Sequence, residues 1–372
     1  MKWIRHPLIR LSASRAAVLW LLLAAAVPAH ADRLADARAD LAQYTSHKTR
    51  WDGPTSGPVA VPGKRIAVIA ADLDNGGVMG VAEGLREAAR IIGWQVMLFD
   101  GHGSARGRAI ALGRALDIKA DGIVIDGFDV NEQRPALALA ARAHIPVVSW
   151  HGAPGVGPVP GTNIFANVST TVRDVARAAA EWVLVDGKGH PGVVIFTDSS
   201  FSIAMSKARR MAEIIDADGG KVLSVEDVPI AEAAGRIPTL THLLLHMYGP
   251  AWTHSLAIND RYFRYTGPAL AAEGVAGTAP PIAVAAGDGS PQAYARVRDG
   301  RYQAVTVAEP LSLQGWQLVD ELNRAFAGRP WSGYVAPLQV VTRANIDRDG
   351  GRDNHFDPDN HYRARYRAIW GR

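Results

Sequence analysis

IAVIAADLDNGGVMGVAEGLREAARIIGWQVMLFD, residues 66–100, reads as a strand, a helix and a second strand. Ile66–Ala71 is too uniformly apolar for a sheet with one wet face, and suits a sheet covered by helices on both sides. Gly76-Gly77 breaks the extended chain, after which Val81, Leu85, Ala88 and Ile92 fall on one face of a helix. Gly93 stops that helix, and Trp94–Asp100 runs on as the next strand. A strand, helix and strand in about 35 residues make one right-handed crossover unit.

Outward from this unit the rhythm repeats. Helix Arg106–Leu116, strand Gly122–Asp126, helix Glu132–Ala143 and strand Pro146–Trp150 follow, then a Gly/Pro-rich passage near Gly152–Gly161 and a short strand at Asn163–Val168. A second series opens with the Ala-rich helix Val172–Val185. It continues through strands near Val193–Thr197, Val222–Val225, Ser255–Ile258, Ile282–Ala286 and Val305–Ala308. The predicted class is α/β, with two doubly wound parallel-sheet modules joined in the middle. Several strands end in polar residues: Asp72, Asp126, Asp198, Asn259-Asp260, Asp288 and Glu309. In such sheets ligands collect just outside the carboxyl ends of the strands.

The flanks differ in character. Residues 1–31 have the form of a cleaved signal peptide, with Lys2, Arg5, Arg10 and Arg15, an apolar Ala16–Val27 and the small-x-small site Ala29-His30-Ala31. The apolar stretch is shorter than the about 20 residues that a bilayer requires. Loss of four basic residues and no acid takes the formal net charge of +4 to zero. A neutral mature chain argues against nucleic-acid or anionic-membrane binding through a basic face. The chain has no cysteine, which excludes a lipidated N-terminus and fits a chain stabilised by its core in a Gram-negative periplasm. Residues 32–63 read as a polar leading helix and a Pro/Gly linker, and residues 347–372 as a polar C-terminal extension.

Four stretches carry a resemblance to a family. They are Ile66–Asp72 with its glycine turn and helix; Lys119–Asp126 followed by Ala143–Ser149; Leu256–Asp260; and Arg298–Thr306 with Ala308–Pro310 and Gln314-Gly315. Pro337–Ile346 supplies a closing strand. In order and spacing they resemble the type I periplasmic solute-binding proteins, in particular the ribose and sugar-binding branch, over roughly residues 64–346. The resemblance implies two similar lobes joined by three crossing segments, near Gly161–Val168, Ala308–Leu311 and Tyr334–Leu338. The N-terminal lobe is then 64–166 plus 309–333, and the C-terminal lobe 167–308 plus 334–346. It further implies a monomer that holds a small polar solute, a sugar or sugar-like compound, and hands it to the permease subunits of an ABC importer or to a receptor kinase.

Carried over residue by residue, the family's ligand positions fall on Asp74, Asn75, His151, Met205, Asn259, Asp288 and Glu309. His151-Gly152 stands where ribose binders have an Asp-Arg pair, and Met205 where they have a second Arg, which counts against ribose itself. Carboxylates and Asn suit adjacent sugar hydroxyls. Phe128, Trp150 and Phe201, all beside strand ends, offer flat apolar faces to a sugar ring. Asp288 equally suits capping of the next helix together with Ser290, and Asp72, Asp129 and Asp260 read as helix starters. If most of these acids line a cleft without a basic partner, a cationic solute is the alternative ligand.

Other signals are weaker. His242 and His246 lack a third metal ligand, and Asp347, Asp349, Asp353, Asp357 and Asp359 do not keep the calcium-loop order. No metal or cofactor is expected. No nucleophile elbow or cysteine nucleophile is present. A hydrolase built on paired carboxylates is the rival of a different class.

Overall fold

The computed structural model describes residues 33–372; the expected signal peptide lies outside the described residues. Among them no helix is long and apolar enough to cross a membrane.

The first sheet has five parallel strands in the order β2-β1-β3-β4-β5. They are β1 (Arg65–Ala70), β2 (Gln95–Asp100), β3 (Gly122–Asp126), β4 (Val147–Trp150) and β5 (Ile164–Val168). The central strands β1 and β3 are buried almost throughout, as their unbroken apolar runs require. Helices α2 (Gly76–Ile91), α3 (Ala105–Asp117) and α4 (Arg134–Arg142) connect these strands. A much later helix, α10 (Leu311–Phe326), lies along α2. Their backbones nearly touch: a Cβ on Gly84 would stand 2.5 Å from the Ser312 carbonyl, and one on Gly315 2.4 Å from the Leu85 nitrogen.

The second sheet has six strands in the order β11-β10-β9-β8-β6-β7. β6 (Gly192–Thr197), β7 (Lys221–Asp227), β8 (His254–Ala257), β9 (Ile282–Ala285) and β10 (Val305–Ala308) run parallel; β11 (Gln339–Thr342) is antiparallel to β10. Around it lie α1 (33–44), α5 (Val172–Asp186), α6 (Ser202–Ala217), α7 (Ala233–Tyr248), α8 (Phe263–Ala272), α9 (Pro291–Asp299) and α11 (Ile346–Asp349). Each sheet has a topological switch, between β1 and β3 in the first lobe and between β6 and β8 in the second. The carboxyl ends of those strands are where a crevice forms.

The crossings differ from expectation in one place. β5 occupies Ile164–Val168 and pairs with β4, so the first lobe runs through Val168 and the chain crosses at Ser169–Thr171. The second crossing is Glu309-Pro310, between β10 and α10. The third falls between Ala336, in the first lobe's core, and Leu338, in the second's.

Both ends of the described chain add further passages. The leading helix α1 is not merely solvated: Leu41 enters the second lobe's core, while Arg33 and Asp40 pair with Asp218 and Arg177. The linker then crosses to the first lobe, where Trp51 meets Tyr334 and Tyr366, and the Trp94 indole donates to the Val61 carbonyl (2.6 Å). Residues 347–372, read from the sequence as a polar extension, do not remain at the surface. Phe356 is buried with Tyr294 and Ile346, and α12 (Tyr362–Trp370) returns to the first lobe. There the Trp370 ring stacks on Trp316 at 5.4 Å and its indole N–H donates to Asp320. Tyr362, Tyr366 and Trp370 recur every four residues, so one face of a charged helix is aromatic and must be covered.

Candidate functional site

Between the two switch points lies a cavity of about 100 Å³ walled by both lobes. The first lobe contributes Asn75 and Val78 from the start of α2, Arg108 from α3, and Trp150-His151 from the end of β4. The second contributes Phe201 and Lys207 around α6, Asn259 after β8 and Asp288 after β9. Phe201 packs against the cores of both lobes, so they stand closed upon one another. Two polar contacts also span the cleft: Arg261 Nη1 donates to Asp72 Oδ2 (2.9 Å), and the Ser202 hydroxyl donates to Asp129.

The polar floor is a buried chain of contacts. Asn259 Nδ2 donates to Asp288 Oδ2 (2.7 Å) while its Oδ1 accepts from the Arg261 amide. His151 Nε2 lies 3.1 Å from Glu309 Oε2, which also accepts from Gln314 Nε2 (2.8 Å) and the Thr170 amide. Gln314 in turn accepts from the Trp150 indole N–H (2.9 Å), and the Trp150 and His151 rings stack at 3.8 Å. Lys207 Nζ stands 3.9 Å from Asp288 Oδ1 and 3.7 Å from Glu309 Oε1.

Burial sets the protonation of this group. It pushes Asp288 up to about 6, against the opposing charges of Lys207 and His151. Burial works on Glu309 too, but the charge and hydrogen bond of His151, with Lys207 beside them, outweigh it and hold the carboxyl below its ordinary range. Asp126, at the end of β3, is the opposite case. Both its oxygens are buried without a partner, and burial alone pushes the carboxyl well above its ordinary range.

Of the residues singled out in the sequence, Asn75, Trp150, His151, Phe201, Asn259 and Asp288 line the cavity. Glu309 lies just behind the wall, reaching the site through His151 and Lys207. Asp74 is exposed and faces the outer rim. Phe128 is fully buried beneath the Arg108 guanidinium, 5.3 Å from it. Met205 points to Thr197, whose hydroxyl lies 3.8 Å from its sulfur.

Sequence reasoning missed Arg108 and Lys207. Each is a cation on the buried stripe of its helix: Arg108 with Ala111, Leu112 and Ala115; Lys207 with Ile203, Ala204, Ala208 and Met211. A basic residue in register with an apolar stripe is the signal that would have found them. Their presence gives most of the acids at the cavity a basic partner, which counts against a cationic ligand. Arg108 is paired bidentately with Glu132, Arg261 with Asp72, and Lys207 and His151 with Asp288 and Glu309. One further wall acid, Asp198, has no basic partner and accepts instead from the Ser200 amide and hydroxyl and the Ile230 amide.

His151, Asp288 and Glu309 form, among the described residues, a group with metal-ligand geometry, their ligand atoms within 4.8 Å of one another. The Lys207 ammonium already serves as their cation. The other metal candidates are spent elsewhere: His242 contacts Glu273, Asp349 is held by His47, Gln339 and Arg348, and Asp357 by Tyr362 and Arg363.

A sequence profile of the periplasmic binding protein domain matches residues 66–330. No curated protein matches the chain significantly. Among solved structures, an ABC transporter solute-binding protein from Agrobacterium vitis bound with alpha-D-tagatopyranose superposes with a TM-score of 0.69 at 16% identity, covering 79% of this chain and 99% of that one. GanP, a glucose-galactose binding protein from Geobacillus stearothermophilus, gives 0.66 at 17% identity, over 76% and 98%. The binding protein of an arabinose ABC transporter from Shewanella sp. ANA-3, bound to L-arabinofuranose, gives 0.67 at 15% identity, over 78% and 96%. At these identities the likeness is one of fold. Nearly the whole of each of these structures is covered, which leaves between a fifth and a quarter of this chain unmatched by them.

Proposed function

Because the chain belongs to the periplasmic binding protein family, we propose that its two lobes close on one small neutral polyhydroxylated solute, a sugar or sugar alcohol. The closed form delivers the solute to the membrane subunits of an ABC importer. The observation that carries this reading is the polar cavity with walls from both lobes, Asn259 and Asp288 on one side and Asn75 and His151 on the other, whose two cations Arg108 and Lys207 are already paired with acids. A ligand touching both walls binds the closed state better than the open one, which is what drives closure. Turning a mostly open population into a mostly closed one takes about 5 kcal/mol of differential affinity. A few hydrogen bonds to charged groups, at about 1.5–3 kcal/mol each, reach that sum.

In this reading the protein is a periplasmic monomer, exported by its leader, and leaves its cargo chemically unchanged. A receptor kinase, as an alternative destination, would read the same closed form. The structures of sugar-bound relatives support the ligand class, D-tagatose and L-arabinose among them. The test is a thermal-shift and calorimetric screen of neutral sugars and alditols beside amines and sugar acids. A solute at a hundred times its Kd adds about 2.7 kcal/mol of stability. Saturable binding confined to amines or acids would refute the reading, as would mass spectrometry showing the bound sugar hydrolysed.

A further inference from the structure

Lys207 is 3% exposed, and its ammonium faces the cavity. Both carboxylates that neutralise it stand off, Asp288 Oδ1 at 3.9 Å and Glu309 Oε1 at 3.7 Å, beyond hydrogen-bond distance. Glu309 Oε1 has no hydrogen-bond partner although fully buried. Such an arrangement leaves donors and acceptors facing one another across a gap. An ammonium has three donors and no acceptor, and an ionised carboxylate only acceptors. A hydroxyl is the group that satisfies both at once: its oxygen accepts from Lys207 Nζ while its hydrogen goes to Asp288 Oδ1.

We propose that Lys207 is a specificity-determining residue, acting with Asp288 as a filter for one ligand hydroxyl. This rests on the reading of the cleft as a sugar or alditol site. At the filtered position a hydrogen atom leaves both groups short of a partner. An ammonium meets the like charge of Lys207, and a carboxylate that of Asp288.

The experiment is a cycle between protein and ligand. D-Galactose, D-tagatose, L-arabinose and allitol are titrated into the wild-type protein, and the tightest is compared with its singly deoxygenated analogues in wild type, Lys207→Met and Lys207→Gln. In wild type one deoxygenation costs about 10- to 100-fold in Kd. In Lys207→Met that penalty shrinks at least several-fold, at that position only, because the hydroxyl has lost its partner. Lys207→Gln, which keeps a donor, falls between. Equal losses for parent and deoxy sugars would mean that Lys207 only supports the fold, and would overturn the filter while leaving the sugar site standing. Should Lys207→Met not fold, the wild type still decides: the amino-substituted analogue at the same position must lose as much as the deoxy one. Failure of all four sugars to bind wild type would remove the sugar reading, and the filter with it.

Discussion

His151 Nε2 and Glu309 Oε2 lie 3.1 Å apart, and this contact ties the end of β4 in one lobe to the segment on which the lobes turn. Glu309 is buried and ionised, so its partners are a condition of the fold. We expect His151→Ala to cost about 1–3 kcal/mol of stability in denaturant unfolding, the penalty for leaving a buried charged acceptor short of a donor. An unchanged midpoint would show that Gln314 and Lys207 suffice.

Asp288, pushed up to about 6, links binding to acidity. Its raised value means that the folded protein holds a proton which the unfolded chain, titrating near 3.9, has already lost. Ionising it as pH climbs from about 4 to about 6 therefore removes stability. Binding runs the other way, since a ligand hydroxyl needs the carboxylate as acceptor. Sugar affinity should fall below pH 6, by up to about tenfold per pH unit. Calorimetry from pH 5 to pH 8 checks this, with Asp288→Asn binding weakly and without that slope.

Arg261 and Asp72 clasp the lobes from opposite rims at 2.9 Å without lining the same wall. In Arg261→Gln the closed state loses about 1 kcal/mol, given that both side chains are largely shielded from water. Affinity should drop about 3- to 10-fold, by the same factor for every sugar that closes the lobes. A loss that differs between a sugar and its deoxygenated analogues would place Arg261 in ligand contact instead.

Asp126 carries an unpartnered carboxyl at the end of β3. Asp126→Val, which suits a buried parallel strand, should raise stability at pH 8 by about 1–3 kcal/mol. The wild type binds this proton only when folded, so its stability declines as pH rises above the unfolded value, and the variant declines less. Some slope persists, because Glu181 and Glu321 are also raised by burial, each to about 7.

Trp370→Ala should cost about 3–5 kcal/mol, the range for losing a buried indole. It removes both the stack on Trp316 and the hydrogen bond to Asp320. Thermal unfolding measures it; a shift no larger than that of a surface substitution would mean that α12 frays from the lobe.

The sheet rhythm was legible because parallel strands buried on both faces leave unbroken apolar runs, as in Ile66–Ala71. Asn259, Asp288 and His151 could be placed at the cavity because they stand one to three residues past strand ends, where the chain leaves the sheet for the cleft. Helical positions were harder. Met205 and Lys207 differ by about half a turn on α6, and the family resemblance, with no strand end to fix that register, falls on Met205, which turns to Thr197 while Lys207 lines the cavity. Arg108 escaped notice because a basic residue reads as solvated until its helix face is known. The tail was misread for its composition: Asp, Arg and His outnumber Tyr362, Tyr366 and Trp370, yet the spacing of those three decides where it goes.

The anchorage of α12 has a bearing on how the molecule is made. The half that begins at Arg65 is incomplete until residue 370 has been synthesised, some three hundred positions later. A nascent chain can pair most strands of the middle portion first, but leaves its opening portion unsealed until α12 has emerged.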